Sequence, residues 1–458
     1  MNNPLWTSAQ AEAASGGAAA GDWSVSGVSI DSRTLKAGDL FVPLKDVRDG
    51  HDFIPQARAA GAGAVISETP QEAPALLVEG ALAALTAMGQ SRTQGSNALR
   101  IGVTGSAGKT SVKDALFHMF SAFGTAHKSL KSYNNHWGVP LTMARMPHET
   151  DFGVFEMGMN HAGEMSALSK MLEPHIALIN NVAGAHLAHF ESIEKIADAK
   201  AEIIDGLAAG GTLILNGDNA YTPQIIKSAQ AAGLSADQIV TFGSDSSHMV
   251  AIVDVRKHPQ VTNIRLRIEG QQIDVTLPLI GDHWVSNIAA CMSVAKAAGV
   301  DLRKAARQFR TLSPTQGRGL RTSLVLGGKA VTLVDESYNA NPASMRAAIE
   351  ALSLTAGRKI AVLGDMFELG PDELALHAGL AEPLEAAGVS RVIVSGECMR
   401  ALKGALPQPM RGALCANWED AKGALIDEIE EGDTILIKGS NATGLSRLAA
   451  SLITEGSA

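Results

Sequence analysis

The stretch Val103–Ser111, VTGSAGKTS, follows an apolar run (LRI, from Leu99) and opens an amphipathic segment that begins at Lys109. A strand that turns through glycines into a helix is the setting a phosphate loop needs. Gly105 and Gly108 permit a tight backbone and bare N–H groups, Lys109 can reach the outer phosphates, and the Thr110 hydroxyl can ligate Mg²⁺. The full pattern, GxxxxGK followed by Ser or Thr, is not met, because Val stands at position 103 where its first glycine belongs. The shorter TGxxGK with Thr110 remains, and Gly105, Ser106, Ala107, Gly108, Lys109, Thr110 and Ser111 are the candidate nucleotide contacts. A GTPase would need an NKxD-like element for the base, and none is found. The expected nucleotide is ATP.

Working outward, apolar runs alternate with helical segments: DFGVFEM, IALINNV and GTLILN downstream of the loop, then AVTLVDE, KIAVLGDM, RVIVSG and DTILIKGS towards the C-terminus. Such alternation predicts parallel βαβ units and doubly wound sheets. Ser247–Gly281 alternates with period two and reads as an antiparallel excursion from the central sheet. Polar, turn-rich TQGSN (Thr93–Asn97) and LSPTQGRGLR near Ser313 mark two boundaries. The expected fold is α/β in three domains: a small N-terminal α/β domain (1–97), a central doubly wound P-loop sheet (98–315) and a C-terminal Rossmann-like domain (316–458). In the last, DELALHAGLAEPLEAAG reads as one helix.

The chain has 458 residues, 46% of them hydrophobic, with 38 Lys and Arg against 47 Asp and Glu. A net charge of −9 is the wrong sign for coating a nucleic acid, so an anionic ligand must be met by local cations. No window approaches a membrane span, and the Ala- and Gly-rich start lacks the basic and apolar regions of a signal peptide. Three isolated cysteines without a CxxC pair suit a reducing cytoplasm.

Further strings stand in fixed order: YNNHWGVPLT (Tyr133–Thr142), FEMGMNHAGEM (Phe155–Met165), NNVAGAHLAHFESIEKIADAKAEII (Asn180–Ile204), DESYNANPASM (Asp335–Met345) and LGDMFELG (Leu363–Gly370). With the phosphate loop, they resemble the Mur ligase superfamily, and within it the type that joins D-alanyl-D-alanine to UDP-N-acetylmuramoyl-tripeptide. The resemblance implies an ATP- and Mg²⁺-dependent amide ligase of peptidoglycan synthesis that works through an acyl phosphate. It also implies small-molecule substrates alone, with no nucleic-acid or membrane partner, and a monomeric protein.

Residue by residue, the resemblance places Glu156, His186 and a carbamylated Lys200 with Thr110 as metal ligands, and Lys109, Lys200, His186 and Glu156 as the catalytic set. It assigns Asn287, Arg318, Asp335 and Tyr338 to the nucleotide, Ser32 and Arg33 to UDP, and Asn134, Asn135 and Asn341 to the peptide substrates. Ordinary readings compete at several of these. Asn134 and Asn135 suit a turn, and Asn341 before Pro342 is a good helix N-cap. His283 lies one helical turn from Asn287, and could be a core histidine. Arg321 could be a surface charge, and DSR a polar turn. HxxH at His186 and His189 lacks the further pattern of a zinc site. Lys438 and Ser440 stand in KGS, but Asn441-Ala442-Thr443 follows where this type more often carries a basic residue. The alternatives are a ligase of the MurE or folylpolyglutamate type, or a regulatory P-loop NTPase.

Overall fold

The computed structural model describes residues 4–184, 190–258 and 261–456, arranged around three principal sheets. The central sheet has nine strands. Its parallel part runs, from one edge inward, Ala126–Lys128, Phe152–Glu156, Leu99–Thr104, Ile176–Ile179, Thr212–Asn216, Ile239–Gly243 and Val250–Lys257. Thr262–Ile268 and Gln271–Leu277 then extend it antiparallel, as the alternation in Ser247–Gly281 predicts.

The order of these strands locates the site. From Leu99–Thr104 the chain passes to the far edge strand Ala126–Lys128, returns as Phe152–Glu156 on one side of the first strand, and crosses to Ile176–Ile179 on the other. Successive connections therefore leave Leu99–Thr104 in opposite directions, which opens a crevice at its carboxyl end. The phosphate loop, Glu156 and Asn180 all sit at that end, on three neighbouring strands.

The helix Lys109–Phe120 packs on this sheet through Val112, Ala115, Leu116, Met119 and Phe120, all buried in one cluster with Ile101, Val103 and the helix Asp282–Ala297. Apolar residues on both faces of the parallel strands, Val103, Leu178 and Ile214 on one and Ala177, Ile179 and Leu213 on the other, explain why those strands read as continuous runs.

The N-terminal sheet has five strands in the order Ala18–Ala20, Ala75–Leu77, Ala64–Ser67, Asp39–Phe41, Gly27–Ser29, the first pair antiparallel. The C-terminal sheet has six, with Leu320–Leu326 and Lys329–Asp335 antiparallel, followed by Thr434–Lys438, Lys359–Gly364, Arg391–Ser395 and Arg411–Cys415 in parallel.

Three sequence expectations differ from this structure. TQGSN does not begin as a linker, because the helix Ala81–Gln94 runs through Thr93 and Gln94; Arg92 and Thr93 are buried and hold it in register. RGLR is not merely a boundary, since Leu320 starts a half-exposed edge strand directly after the turn residues Gly317 and Gly319. DELALHAGLAEPLEAAG divides into Glu373–Ala378 and Ala381–Ala386, interrupted at Gly379 and Leu380.

The first sheet does not bury its core alone. Leu141 and Ala144, on the helix Gly138–Ala144 of the central region, complete its apolar cluster with Trp6, Leu85 and Met88. The Trp6 indole donates to the carbonyl of Ala144 at 2.8 Å, and Arg145 Nε donates to that of Val28 at 2.5 Å. Gly89 sets the approach of the two helices, because a Cβ there would lie 2.9 Å from both Met143 Cβ and the Pro140 carbonyl oxygen. Gly89→Val should therefore destabilise the protein by about 1–3 kcal/mol through overpacking. Urea unfolding checks this, and an unchanged midpoint would show that the helices have room to separate.

Candidate active site

The phosphate loop is pinned from beneath by the turn that follows Ile176–Ile179. Asn181 Oδ1 accepts from the Ala107 N–H at 2.8 Å, and Ser106 Oγ donates to the Ala183 carbonyl at 2.9 Å. Asn180 Nδ2 reaches both the Ala107 carbonyl at 3.2 Å and Asn287 Oδ1 at 2.9 Å. Gly108, at φ +80°, needs its lack of a side chain twice over. The left-handed backbone disfavours other residues, and a Cβ would lie 2.6 Å from Asn180 Nδ2. Lys109 Nζ folds back to donate to the Gly105 carbonyl at 2.6 Å.

Glu156 ends its strand 1% exposed. Thr110 Oγ1 donates to Oε2 at 2.9 Å and Asn134 Nδ2 to Oε1 at 2.9 Å, while Lys113 Nζ lies 3.5 Å from Oε2. Asn135 plays a different part. Its Oδ1 accepts from the N–H groups of Trp137 and Gly138, so it shapes the start of the helix Gly138–Ala144, as the turn reading has it. Both asparagines border the cavity described below.

Arg318 comes from the junction before the C-terminal sheet. Its guanidinium donates to Thr110 Oγ1 at 3.0 Å and lies over the Tyr338 ring, 4.2 Å from the centroid. Asp335, which the resemblance assigns to the nucleotide, ends its strand beside the turn that carries Arg318. It is buried, with Oδ2 accepting from Gly317 N–H at 2.8 Å and Oδ1 from the Ser337 N–H at 3.1 Å and hydroxyl at 2.5 Å. Its carboxylate shapes the turn that carries Arg318. Asn341 caps the helix Pro342–Ser353 through Ser344 N–H at 2.8 Å, and the end of this helix also borders the cavity.

These groups surround one cavity of about 390 Å³. Lys109, Lys200, Arg318 and Lys438 line it, as do Glu156, Glu164 and Glu336. Lys200 is 3% exposed, and its ammonium has no partner among the described residues. Burial, reinforced by the nearby Lys109 charge, holds its pKa well below the ordinary lysine value. Burial also lowers Lys109, with Arg318 adding to the effect and Glu156 opposing it. Lys438, whose Nζ donates to the Asn339 carbonyl at 3.0 Å, is lowered mainly by burial.

His283 borders the cavity with its Nδ1 buried and unpartnered among the described residues; burial lowers its pKa. Asn287, Ser111 and Tyr338 line the same space.

Other expected residues lie apart. Ser32 Oγ donates to Gln56 Oε1 at 3.0 Å, and the exposed Arg33 forms a two-pronged pair with Asp31 at 2.8 and 2.7 Å. That pair lies towards Lys131 of the central region. Arg321 sits on the edge strand beside a second cavity of about 700 Å³. Ser440 Oγ accepts from the Phe367 N–H at 3.2 Å, and Asn441–Thr443 forms a single helical turn ending in Gly444 at φ +74°. His186 and His189 lie outside the described residues.

Four participants went unidentified in the sequence: Lys113, Ser132, Asn180 and Asn181. Lys113 had a signal, since it lies three residues after Thr110 and between Val112 and Leu116 on the apolar face. The asparagines stood in a quoted string, but their grip on the phosphate loop is a contact between strands far apart in sequence.

Comparisons with known proteins give the chain's family and fold. Residues 24–100 match the Mur ligase family catalytic domain, 103–295 the Mur ligase middle domain and 320–441 the Mur ligase glutamate ligase domain. The chain is 32% identical over 426 residues to the UDP-N-acetylmuramoyl-tripeptide--D-alanyl-D-alanine ligase of Rickettsia prowazekii, covering 92% of this chain and 94% of the relative. It is 33% identical to the Escherichia coli enzyme of the same name, with 95% of each covered. Among solved structures, it is similar to MurF from Acinetobacter baumannii (TM-score 0.84, 29% identity, 99% of both chains). It is also similar to MurF from Thermotoga maritima in complex with ADP (TM-score 0.77, 26% identity, 94% of this chain and 97% of that one).

Gly108→Ala should weaken ADP binding about tenfold or more, because left-handed backbone in a non-glycine residue costs roughly 1–2 kcal/mol before the contact with Asn180 is counted. Calorimetric titration with ADP measures it. Unchanged affinity in a folded variant would mean that the loop geometry is not what holds the nucleotide.

Proposed function

Because the chain belongs to the Mur ligase family, we propose that it joins D-alanyl-D-alanine to UDP-N-acetylmuramoyl-tripeptide with ATP, giving the pentapeptide, ADP and phosphate. The observation that carries this reading is the convergence of the phosphate loop, Glu156, Lys200 and Arg318 on one cavity at the switch point of the sheet.

The reaction balances in two steps. The tripeptide's terminal carboxylate oxygen attacks the γ-phosphorus of ATP, the bond to ADP breaks, and an acyl phosphate forms. The dipeptide's amine nitrogen then attacks the acyl carbon, phosphate leaves, and the amine gives up a proton as the amide forms. Phosphoryl transfer depends mostly on positioning and on stabilising charge. Lys109 and the N–H groups at the start of its helix, Gly108 to Thr110, bind the phosphates, the Ser106 and Ala107 N–H groups being held by Asn181, and Arg318, held by the Asp335-shaped turn and by Tyr338, brings a second cation from the third sheet. Tyr338, Asn287 and His283 border the nucleotide's end of the cavity. Asn341 and the start of its helix border the region assigned to the incoming dipeptide.

Mg²⁺ is part of the proposal. Thr110 Oγ1 and Glu156 Oε2, 2.9 Å apart, are hard oxygen donors on the cavity wall. Among the described residues no group of three His, Cys, Asp or Glu side chains converges. That donor set suits an ion that keeps water and phosphate oxygens in its shell. The metal would neutralise phosphate charge during transfer. Lys200 supports a further ligand, because an amine whose pKa is depressed by burial is nucleophilic enough to take up CO₂, and the resulting carbamate is an anion beside Lys109. His186 belongs to the same proposed set.

Ser32 and Arg33 are proposed to meet the UDP moiety, with Arg33 exchanging Asp31 for phosphate. The domains are proposed to divide as residues 1–97 for UDP, 98–315 for ATP and 316–458 for closure and the dipeptide. Every proposed group comes from one chain, so a monomer suffices. No helix among the described residues is long and apolar enough to cross a membrane, and a cytoplasmic location is proposed from the substrates.

Phosphate release should require UDP-tripeptide and D-alanyl-D-alanine together. A coupled phosphate assay in which release persists when either substrate is omitted would favour a regulatory NTPase instead. Lys109→Ala should lower kcat by at least about 10²–10³-fold, since it removes a preorganised charge from the transition state. Near-normal turnover would reject the phosphate-loop assignment.

A further inference from the structure

Lys113 has no part in the chemistry above, yet its placement is unusual for a lysine. It is 1% exposed on the helix Lys109–Phe120, one turn beyond Thr110, among apolar neighbours. Its Nζ lies 3.5 Å from Glu156 Oε2 and 3.6 Å from Asp114 Oδ1, and donates to the carbonyl of Lys131. Lys131 itself has φ +50°, a left-handed backbone that turns its carbonyl into the interior. Burying an ammonium costs several kcal/mol unless partners compensate, so a position that needed only volume would be filled better by Met or Leu.

The loop that Lys113 grips supplies the other contacts to the site. Ser129 Oγ accepts from the Glu156 N–H at 3.0 Å, Ser132 Oγ lies 3.0 Å from Thr110 Oγ1 and accepts from Arg318 at 3.4 Å, and Asn134 holds Glu156 Oε1. Asp114 continues the network outward, to Lys128 at 2.7 Å and to Thr315 Oγ1 at 3.4 Å in the junction before Arg318. One buried ammonium thus joins the phosphate-loop helix, the carboxylate at the end of the neighbouring strand, and the loop between them.

We propose that Lys113 is a positioning residue for phosphoryl transfer, fixing Glu156 and the Ser129–Asn134 loop in the register that presents Glu156 Oε2 beside Thr110. This rests on the reading of Glu156 and Thr110 as metal-facing groups. Lys113 touches no substrate in this assignment, because its three contacts are all protein. Its removal should loosen the carboxylate's orientation while leaving the phosphate loop, held from the other side by Asn180 and Asn181, in place.

The test compares wild type, Lys113→Met, Lys113→Arg and Glu156→Gln in the full chain. It measures the unfolding midpoint, ADP affinity by calorimetry, Mn²⁺ affinity of the ADP complex by electron paramagnetic resonance, and kcat with KM. For Lys113→Met the expected result is ADP affinity within about threefold of wild type, with Mn²⁺ affinity and kcat each reduced about 10- to 100-fold, the range for residues that orient a metal ligand. Lys113→Met with unchanged Mn²⁺ affinity and kcat, while Glu156→Gln loses both, overturns the proposal and leaves the metal assignment standing. If Glu156→Gln retains both, the metal assignment fails and the proposal with it. Should Lys113→Met unfold below assay temperature, Lys113→Arg carries the test. Retained charge should preserve both readouts to within about tenfold of wild type. An Arg variant that is folded but as impaired as Glu156→Gln overturns the proposal.

Discussion

Lys109, Lys200, Arg318 and Lys438 line one cavity and repel one another. Lys109 and Arg318 each depress a neighbouring lysine, and Lys109 acts on Lys200. Two unit charges roughly 8 Å apart at an effective dielectric near 20 repel by about 2 kcal/mol, a cost that Glu156, Glu164 and Glu336 on the same walls offset only in part. Packing elsewhere holds it: the nine-stranded sheet, the asparagine pair beneath the phosphate loop and the Asp335 turn beneath Arg318. A polyphosphate entering this cavity relieves the repulsion, which makes the cluster a device for binding anions in a protein whose net charge is −9.

The same constraint explains why the cations come from different parts of the chain. Lys109 and Lys200 belong to the central sheet, whereas Arg318 and Lys438 are fixed to the C-terminal one. The Arg318 to Thr110 hydrogen bond joins the two sheets at the site itself. Ordering of these groups is therefore coupled to how the two sheets meet. The first sheet is tied differently, by a shared apolar core around Leu141 and Ala144 and by the Trp6 and Arg145 hydrogen bonds.

How much of this was legible in the sequence follows the range of the forces involved. The phosphate loop and the parallel strands were readable because glycine spacing and apolar runs are local, and so was the capping role of Asn341. The strand Leu320–Leu326 was missed because its half-exposed edge carries little hydrophobic signal and it follows a turn-rich stretch. The hydrogen bonds of the Asp335 carboxylate to Gly317 and Ser337 are contacts that sequence spacing does not reveal. Asn135 likewise serves its own turn, while Asn134 beside it reaches Glu156. Lys113 shows the limit most clearly, since only the fold reveals that a lysine on an apolar stripe meets a carboxylate 43 positions away in the numbering, at Glu156.

The central claim is that the cavity activates a carboxylate by transferring phosphate to it. Turnover with tripeptide labelled with ¹⁸O in its terminal carboxylate, followed by mass spectrometry of the released phosphate, tests this most directly. Formation and breakdown of an acyl phosphate predicts one ¹⁸O atom in each phosphate released during amide synthesis. Phosphate free of ¹⁸O, with pentapeptide formed in equal amount, would contradict the account.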